Sequence, residues 1–468
     1  MDKYKRLWSN AAILGMGAFA SKVLVFLLMP LYTAILSTEE FGSADLVAQT
    51  ANLLIPLAAV GICDGLFRFT LDTEKADRKK VFTASISVLA VGNVVLALIA
   101  GALRAVGGSG SEHLPLIVAY VVCANFHSAL AHYLRAKGYT TLFAAQGIIN
   151  TVLTIVLNIL FLVVWKMGST GYVLSVVVAD LLITLGLFFF CRMWRDFSFR
   201  AWDRATVKAL LKFSVPYIPT TMLWLITSVS DRYIVTVYCG TAIHGLYTAA
   251  SKIPTLVLLV SGVFIEAWHF SSVKDSSEER ADFFGTVYRN YMSMMFIGAS
   301  VLIASSKIFT RLLLADSYYS SWEFVPLLVI AMVFSSFSSF FGSVYFLEKK
   351  SMLSMVTAMA GAIINVILNF LLIPRHGAMG AAVATLISYL ATYAIRSYDT
   401  VRYVRFSQHY MRVAVNTGVL LVQACIMISA PRHWQYAQLG ILFIMLLMNG
   451  RGVILTVRQI FSKKSKKI

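Results

Sequence analysis

Charge is what this chain has least of. Only 13% of its 468 residues are Asp, Glu, Lys or Arg, and 59% are apolar. Soluble globular chains carry ~25% charged and about 45–50% apolar residues, so both a soluble domain and a disordered chain are excluded. Cysteine is scarce too. The five, at positions 63, 123, 191, 239 and 425, form no CxxC and no Cys/His cluster. That excludes a disulfide framework and a zinc site, and leaves them as small core residues. A nucleotide-binding loop is also missing: "GGSGSEH" (107–113) has the glycines of a phosphate loop but no lysine, which argues against direct use of ATP. Long polar stretches are absent as well. The longest runs from Cys191 to Lys212, too short for a catalytic domain on either side of a membrane.

What is present is grease in blocks. The mean hydropathy is +0.76, and apolar runs of about 20 residues recur along the chain, the pattern of membrane-spanning helices rather than of a barrel. The first run, Ala11 to Leu36, is too long for a signal-peptide core and reads as a retained span. Fourteen spans are expected, near 11–36, 45–68, 81–103, 114–134, 141–165, 170–190, 213–238, 246–269, 288–310, 324–347, 352–373, 379–398, 412–430 and 434–450. Basic residues give an independent check. With an internal N-terminus, thirty of the forty Lys and Arg fall in inward segments and five in outward loops, namely Arg104, Lys166, Arg311, Arg375 and Arg432. The positive-inside rule then places both termini in the cytoplasm. It also accounts for the formal charge of +18 without a nucleic-acid partner; the tail "SKKSKKI" (462–468) is suited to anionic lipid headgroups.

The chain repeats at an offset near 200 to 212. "FGSADLVAQTANLLIPLAAVGICDG" (41–65) resembles "HGLYTAASKIPTLVLLVSGVFIEA" (244–267), aligning Gly42 with Gly245 and Asp64 with Glu266. "YLRAKG" (133–138) aligns with "YFLEKK" (345–350). Leu157–Asn158 aligns with Leu368–Asn369, and Gly168/Gly171 with Gly377/Gly380. Six spans per half is an even number, so both halves enter the membrane in one direction, as in parallel-repeat transporters. The expected division is a first lobe at 1–190, a cytoplasmic linker at 191–212, a second lobe at 213–400, and spans 13 and 14 with the basic tail at 401–468. Pro30, Pro56, Pro216, Pro219 and Pro254 fall in the first two spans of each half. Proline removes a helical hydrogen bond and bends the helix, which suits a gate.

The segments "SKVLVFLLMPLYTAILSTEEFGSADL" (21–46), "LKFSVPYIPTTM" (211–222), "SDRYIV" (230–235), "GLYTAASKIP" (245–254) and "INVILNFLLIPRHGAMGAAVATLISYL" (364–390) together resemble bacterial polysaccharide exporters. The family is the O-antigen and capsule repeat-unit flippases, in the superfamily that includes lipid II flippases and multidrug and toxin extrusion (MATE) transporters. The resemblance implies an all-α integral membrane fold, with two six-helix lobes in a V around a partly cationic cavity and two appended C-terminal helices. It also implies a transporter rather than an enzyme, and an undecaprenyl-pyrophosphate-linked oligosaccharide as cargo. Its setting would be the bacterial cytoplasmic membrane, its partners membrane lipids, with other polysaccharide-assembly proteins as further candidates. A charged headgroup cannot cross ~30 Å of hydrocarbon unaided, and buried Lys or Arg can hold its phosphates. The alternatives are a cation-coupled multidrug exporter, a lipid II flippase and, further off, a membrane polymerase.

Charges inside the spans are the candidate site, because each costs roughly 2.5–3.5 kcal/mol on insertion scales. Lys22 lies near the middle of the first span, and Ser21–Lys22 resembles a Ser-basic pair in lipid II flippases. It is assigned to the cargo headgroup, with Lys252 and Arg68 as further cations. Arg68 also stands one turn after Asp64, the spacing of an intrahelical ion pair. Asp180, Asp231, Glu266 and Asp64 are the coupling or gate candidates, and His127 and His132 can shuttle protons. Proton and sodium coupling are both open. No cofactor or metal is expected.

Overall fold

The computed structural model describes residues 26–72, 77–107, 111–271, 277–348 and 350–465. Among them the chain is helical with short connections, and strands are absent. Seventeen α-helices have both ends among the described residues: α1 (Met29–Ile35), α2 (Thr38–Ala58), α3 (Ile62–Asp72), α4 (Arg78–Val106), α5 (Leu114–Ala136), α6 (Thr140–Asn158), α7 (Gly168–Phe190), α8 (Arg204–Ser214) and α9 (Ile218–Cys239). Then come α10 (Thr241–Lys252), α11 (Thr255–Ser271), α12 (Ser277–Ala304), α13 (Ser306–Leu313), α14 (Val325–Leu347), α15 (Ser351–Thr400), α16 (Tyr410–Ser429) and α17 (Trp434–Ser465). Eight are long and apolar enough to cross a membrane, ten when two bent pairs are counted. The expected spans from the second onward fall on helical segments, but those at 45–68, 213–238, 246–269 and 288–310 are each interrupted by a break between two helices.

Local chemistry explains where these helices start, break and bend. Ser37 opens α2 with a reciprocal capping box: its hydroxyl accepts from the Glu40 N–H at 3.1 Å, while Glu40 Oε2 accepts from the Ser37 N–H at 2.9 Å. Two otherwise orphaned donors are thus satisfied. Pro56 sits in the last turn of α2, Val60 and Gly61 take positive φ, and α3 leaves at 50°. Pro216 lies in the short turn between α8 and α9, and Pro254 in the break between α10 and α11. Pro30 opens α1 and Pro219 lies in the first turn of α9. The 50 residues of α15 would measure about 75 Å as one straight helix, over twice the ~30 Å hydrocarbon layer. Three residues after Pro374, Gly377 adopts φ 59°, ψ −148°, non-helical angles that divide α15 into two span-length halves.

The chain forms two compact units, Met1–Val229 and Ser230–Ile468. In the first, α5 packs on α2, α3, α4 and α7. Small and branched residues such as Ala44, Val47, Ala51, Val121, Val173 and Val177 form one core cluster. A second gathers around Ile62, Leu66, Phe82, Leu89, Tyr133 and Leu134. Part of the expected linker belongs to this unit, because α8 packs on α3 and α4. The second unit is built on aromatic rings: α14 packs on α11, α12 and α15, and Tyr288, Phe337, Phe340, Phe341, Tyr393 and Phe406 are all buried in one cluster. Outer faces are equally greasy. On α4, Val91, Val94, Val95, Leu98 and Ile99 are exposed, as lipid-facing residues are in a bilayer, where tails are as apolar as the core.

Candidate functional site

The polar side chains that the membrane helices bury gather in each unit separately. Midway along α7, in the first unit, Asp180 is 7% exposed. His127 of α5 brings Nδ1 within 2.8 Å of Asp180 Oδ1, and its Nε2 lies 2.7 Å from Gln146 Oε1 of α6. Asn150, one turn beyond Gln146, donates to the same Asp180 oxygen at 2.9 Å. One carboxylate therefore joins α5, α6 and α7. Closer to α4, Asn125 Nδ2 donates to Asn93 Oδ1 at 3.1 Å, leaving the Asn125 carbonyl buried with no partner among the described residues.

In the second unit, Asp231 of α9 accepts at Oδ2 from the Tyr247 hydroxyl of α10 at 3.1 Å, and at Oδ1 from the Arg232 N–H at 2.9 Å. His244 Nδ1 lies 3.0 Å from the Arg232 carbonyl, which fastens α10 to α9 again. Next to Asp231, the Ser230 hydroxyl reaches Asn365 Oδ1 of α15 at 3.5 Å. Asn369 Nδ2 donates to that oxygen at 2.9 Å, and Asn365 Nδ2 donates to Ser388 Oγ at 3.3 Å. The Asn369 carbonyl is buried without a hydrogen-bond partner among the described residues. A buried, unmatched acceptor costs about 1–3 kcal/mol, so this track retains capacity to bind a donor or a cation. Groups of three or more His, Cys, Asp or Glu able to hold a metal are absent among the described residues.

The remaining expected residues scatter. Lys22 lies outside the described residues, and so does the side chain of Glu266 on α11. Asp64 and Arg68 stand one turn apart on the exposed face of α3. Lys252 is half-buried at the last position of α10, beside the break at Pro254. His132 places its ring edge-on to Phe67, with centroids 6.1 Å apart. Sequence reading did not single out Gln146, Asn150, Tyr247 or Asn365, and it used Asn369 only to align the repeat. The available signal was an amide recurring at i and i+4 within an apolar helix, as Gln146–Asn150 and Asn365–Asn369 do.

Comparisons with known proteins agree with this architecture. The sequence profile described as "Polysaccharide biosynthesis protein" matches residues 7–270. No curated protein sequence matches the chain. Among solved structures, a lipid II flippase MurJ in an inward closed conformation superposes with a TM-score of 0.72 at 14% identity, covering 96% of this chain and 100% of that one. A multidrug resistance MATE family transporter of the MOP superfamily, inward-facing, gives a TM-score of 0.64 at 14% identity, covering 82% and 95%. An outward-facing MATE structure gives 0.57 at 15% identity, covering 87% and 96%. At such identities the likeness shows the fold.

Proposed function

The chain belongs to the polysaccharide biosynthesis protein family, and on that premise we propose that it is a flippase for lipid-linked oligosaccharides. It would move undecaprenyl-pyrophosphate-linked repeat units from the inner to the outer leaflet of the bacterial cytoplasmic membrane by alternating access, with both termini in the cytoplasm. The observation that carries this reading is the family match over more than half of a chain whose fold is that of multi-span transporters. The cargo's pyrophosphate needs cations within the membrane, and Lys22, Lys252 and Arg68 supply the candidates. Asp180 with His127, and Asp231 with Tyr247, are the candidate coupling groups, proton and sodium being the two ions to test. Membrane lipids, and other polysaccharide-assembly proteins as further candidates, are the partners this reading calls for.

The buried acids favour one rival, a cation-coupled drug exporter, and a single genetic experiment separates the two. Deleting the gene should cause lipid-linked repeat units to accumulate inside the cell, and the intact gene should clear them. Dye efflux with no polysaccharide phenotype would establish the exporter instead. Lys22→Ala that clears the repeat units at the normal rate would remove Lys22 from the headgroup site.

A further inference from the structure

Where α12 meets the segment between α15 and α16, the second unit holds an open pocket of about 210 Å³. One face of α12 lines it with Asp282, Thr286 and Arg289, and the connecting segment adds Arg405, Ser407 and His409. The segment passes Gly285 at ordinary contact distance: a Cβ there would stand 3.6 Å from the Ser407 nitrogen. His409 takes φ 50° at the cap of α16, a left-handed conformation uncommon for a residue with a Cβ. Its ring nitrogen Nδ1 lies 3.3 Å from Ser407 Oγ.

Charge in this pocket is unbalanced. Arg289 is half-buried and Arg405 exposed, and among the described residues neither makes an ion pair. Arg412, at the start of α16, gives its guanidinium to Ser293 Oγ, the Met448 carbonyl and Asn449 Oδ1, all neutral acceptors. Among the described residues the one acid in the lining is Asp282, which is exposed. Topology alone would leave such arginines in water; here Arg289 and Arg405 line one cavity, with Arg412 outside its lining, and the repulsion between like charges falls when an anion enters. Arginine matches phosphate in two-pronged fashion, and the volume suits a phosphate group but not an oligosaccharide.

We propose that this pocket binds a phosphate group, held by Arg289 and Arg405 with His409 and Ser407 as further donors, carried by an anionic lipid headgroup or by free phosphate. The site is independent of the cargo reading. Burial, and then the charges of Arg289 and Arg412, push the His409 imidazole below its usual range. A bound anion offsets those charges and favours the imidazolium, so affinity rises as pH falls through the histidine range.

The test uses the purified full chain in detergent, with inorganic phosphate measured by calorimetry and phosphatidate in mixed micelles measured by native mass spectrometry, phosphatidylcholine serving as the control. Arg289→Gln with Arg405→Gln should weaken binding by about tenfold or more. Thr286→Asp, which adds an acid to the exposed lining, should do the same and decides the matter if the double variant misfolds. Binding of phosphatidate alone assigns the pocket to a lipid headgroup; binding of both probes, or of phosphate alone, assigns it to the free anion. Equal binding by wild-type and Thr286→Asp proteins, or binding of neither probe by the wild type, overturns the site. His409→Gln should abolish the gain in affinity between about pH 8 and about pH 6.

Discussion

His127 stands between two oxygens, with Nδ1 2.8 Å from Asp180 Oδ1 and Nε2 2.7 Å from Gln146 Oε1. With the amide so oriented, satisfying both contacts takes two protons across the His–Asp pair: an imidazolium facing a carboxylate, or a neutral ring accepting from a carboxylic acid. Removing one leaves Nε2 as an acceptor, and the Gln146 amide must then turn its nitrogen to the ring. A change of one proton on this pair would therefore rewire the contact between α5 and α6.

If Asp180 is the proton carrier, Asp180→Asn should fold normally, since the new carbonyl still accepts from His127 and Asn150, within about 1 kcal/mol of wild type. Its transport should lose pH dependence, and infrared difference spectra on titration should lose a carboxylic C=O band. Persistence of that band would place the proton on another residue. His127→Ala should differ in kind, leaving a buried carboxylate without its main partner and lowering stability by about 3–5 kcal/mol. Thermal unfolding of the two variants side by side separates a titrating role from a packing one.

Asp231 is the second candidate carrier, and its surroundings differ: its partners are a tyrosine hydroxyl and a backbone N–H of its own helix. Tyr247→Phe should cost about 1 kcal/mol in unfolding measurements. Asp231→Asn keeps an acceptor for Tyr247 but removes the charge that would attract a cation toward the Asn365–Asn369 track. Transport by Asp231→Asn should become insensitive to sodium if sodium is the coupling ion. An unchanged sodium response would clear Asp231 of that role.

Much of the fold was legible because helices in a bilayer must be about 20 apolar residues long: the fourth expected span, 114–134, lies within Leu114–Ala136. Two positions aligned in the expected repeat share local features. Gly168 and Gly377, aligned from sequence alone, take φ 57° and 59° in their separate units, and the aligned Asn158 and Asn369 are both fully buried. The polar site was less legible. A lone Gln or Asn in an apolar run does not reveal which helix it faces, so Gln146 was invisible until α5 and α7 stood beside it. The glycine pair yields a prediction. Gly377→Ala meets only Cys239 Sγ at 3.7 Å, so its cost should be backbone strain alone, about 1–3 kcal/mol. Gly168→Ala adds a contact with Glu40 Oε1 at 2.6 Å and should disturb the cap of α2 as well. Melting temperatures in detergent should fall for both, and proteolysis near Ser37 should rise for Gly168→Ala alone.

Two glycines of α4 isolate close helix packing from helix propensity. A Cβ on Gly92 would run into the carbonyl oxygen of Ala58 at the end of α2, a backbone atom that no side-chain rotation can move aside. A Cβ on Gly101, nine residues on along the same helix, meets nothing within 4 Å. Intrinsic helix preference favours alanine over glycine by about 1 kcal/mol at either site, so propensity predicts that both substitutions stabilise. Packing predicts opposite signs: Gly101→Ala neutral or slightly stabilising, and Gly92→Ala destabilising by about 1–3 kcal/mol as α2 and α4 are pushed apart. Fluorescence-detected size exclusion after a heating series reads the difference directly. Equal melting temperatures for the two variants would mean that the Ala58 carbonyl does not hold α4 at this distance.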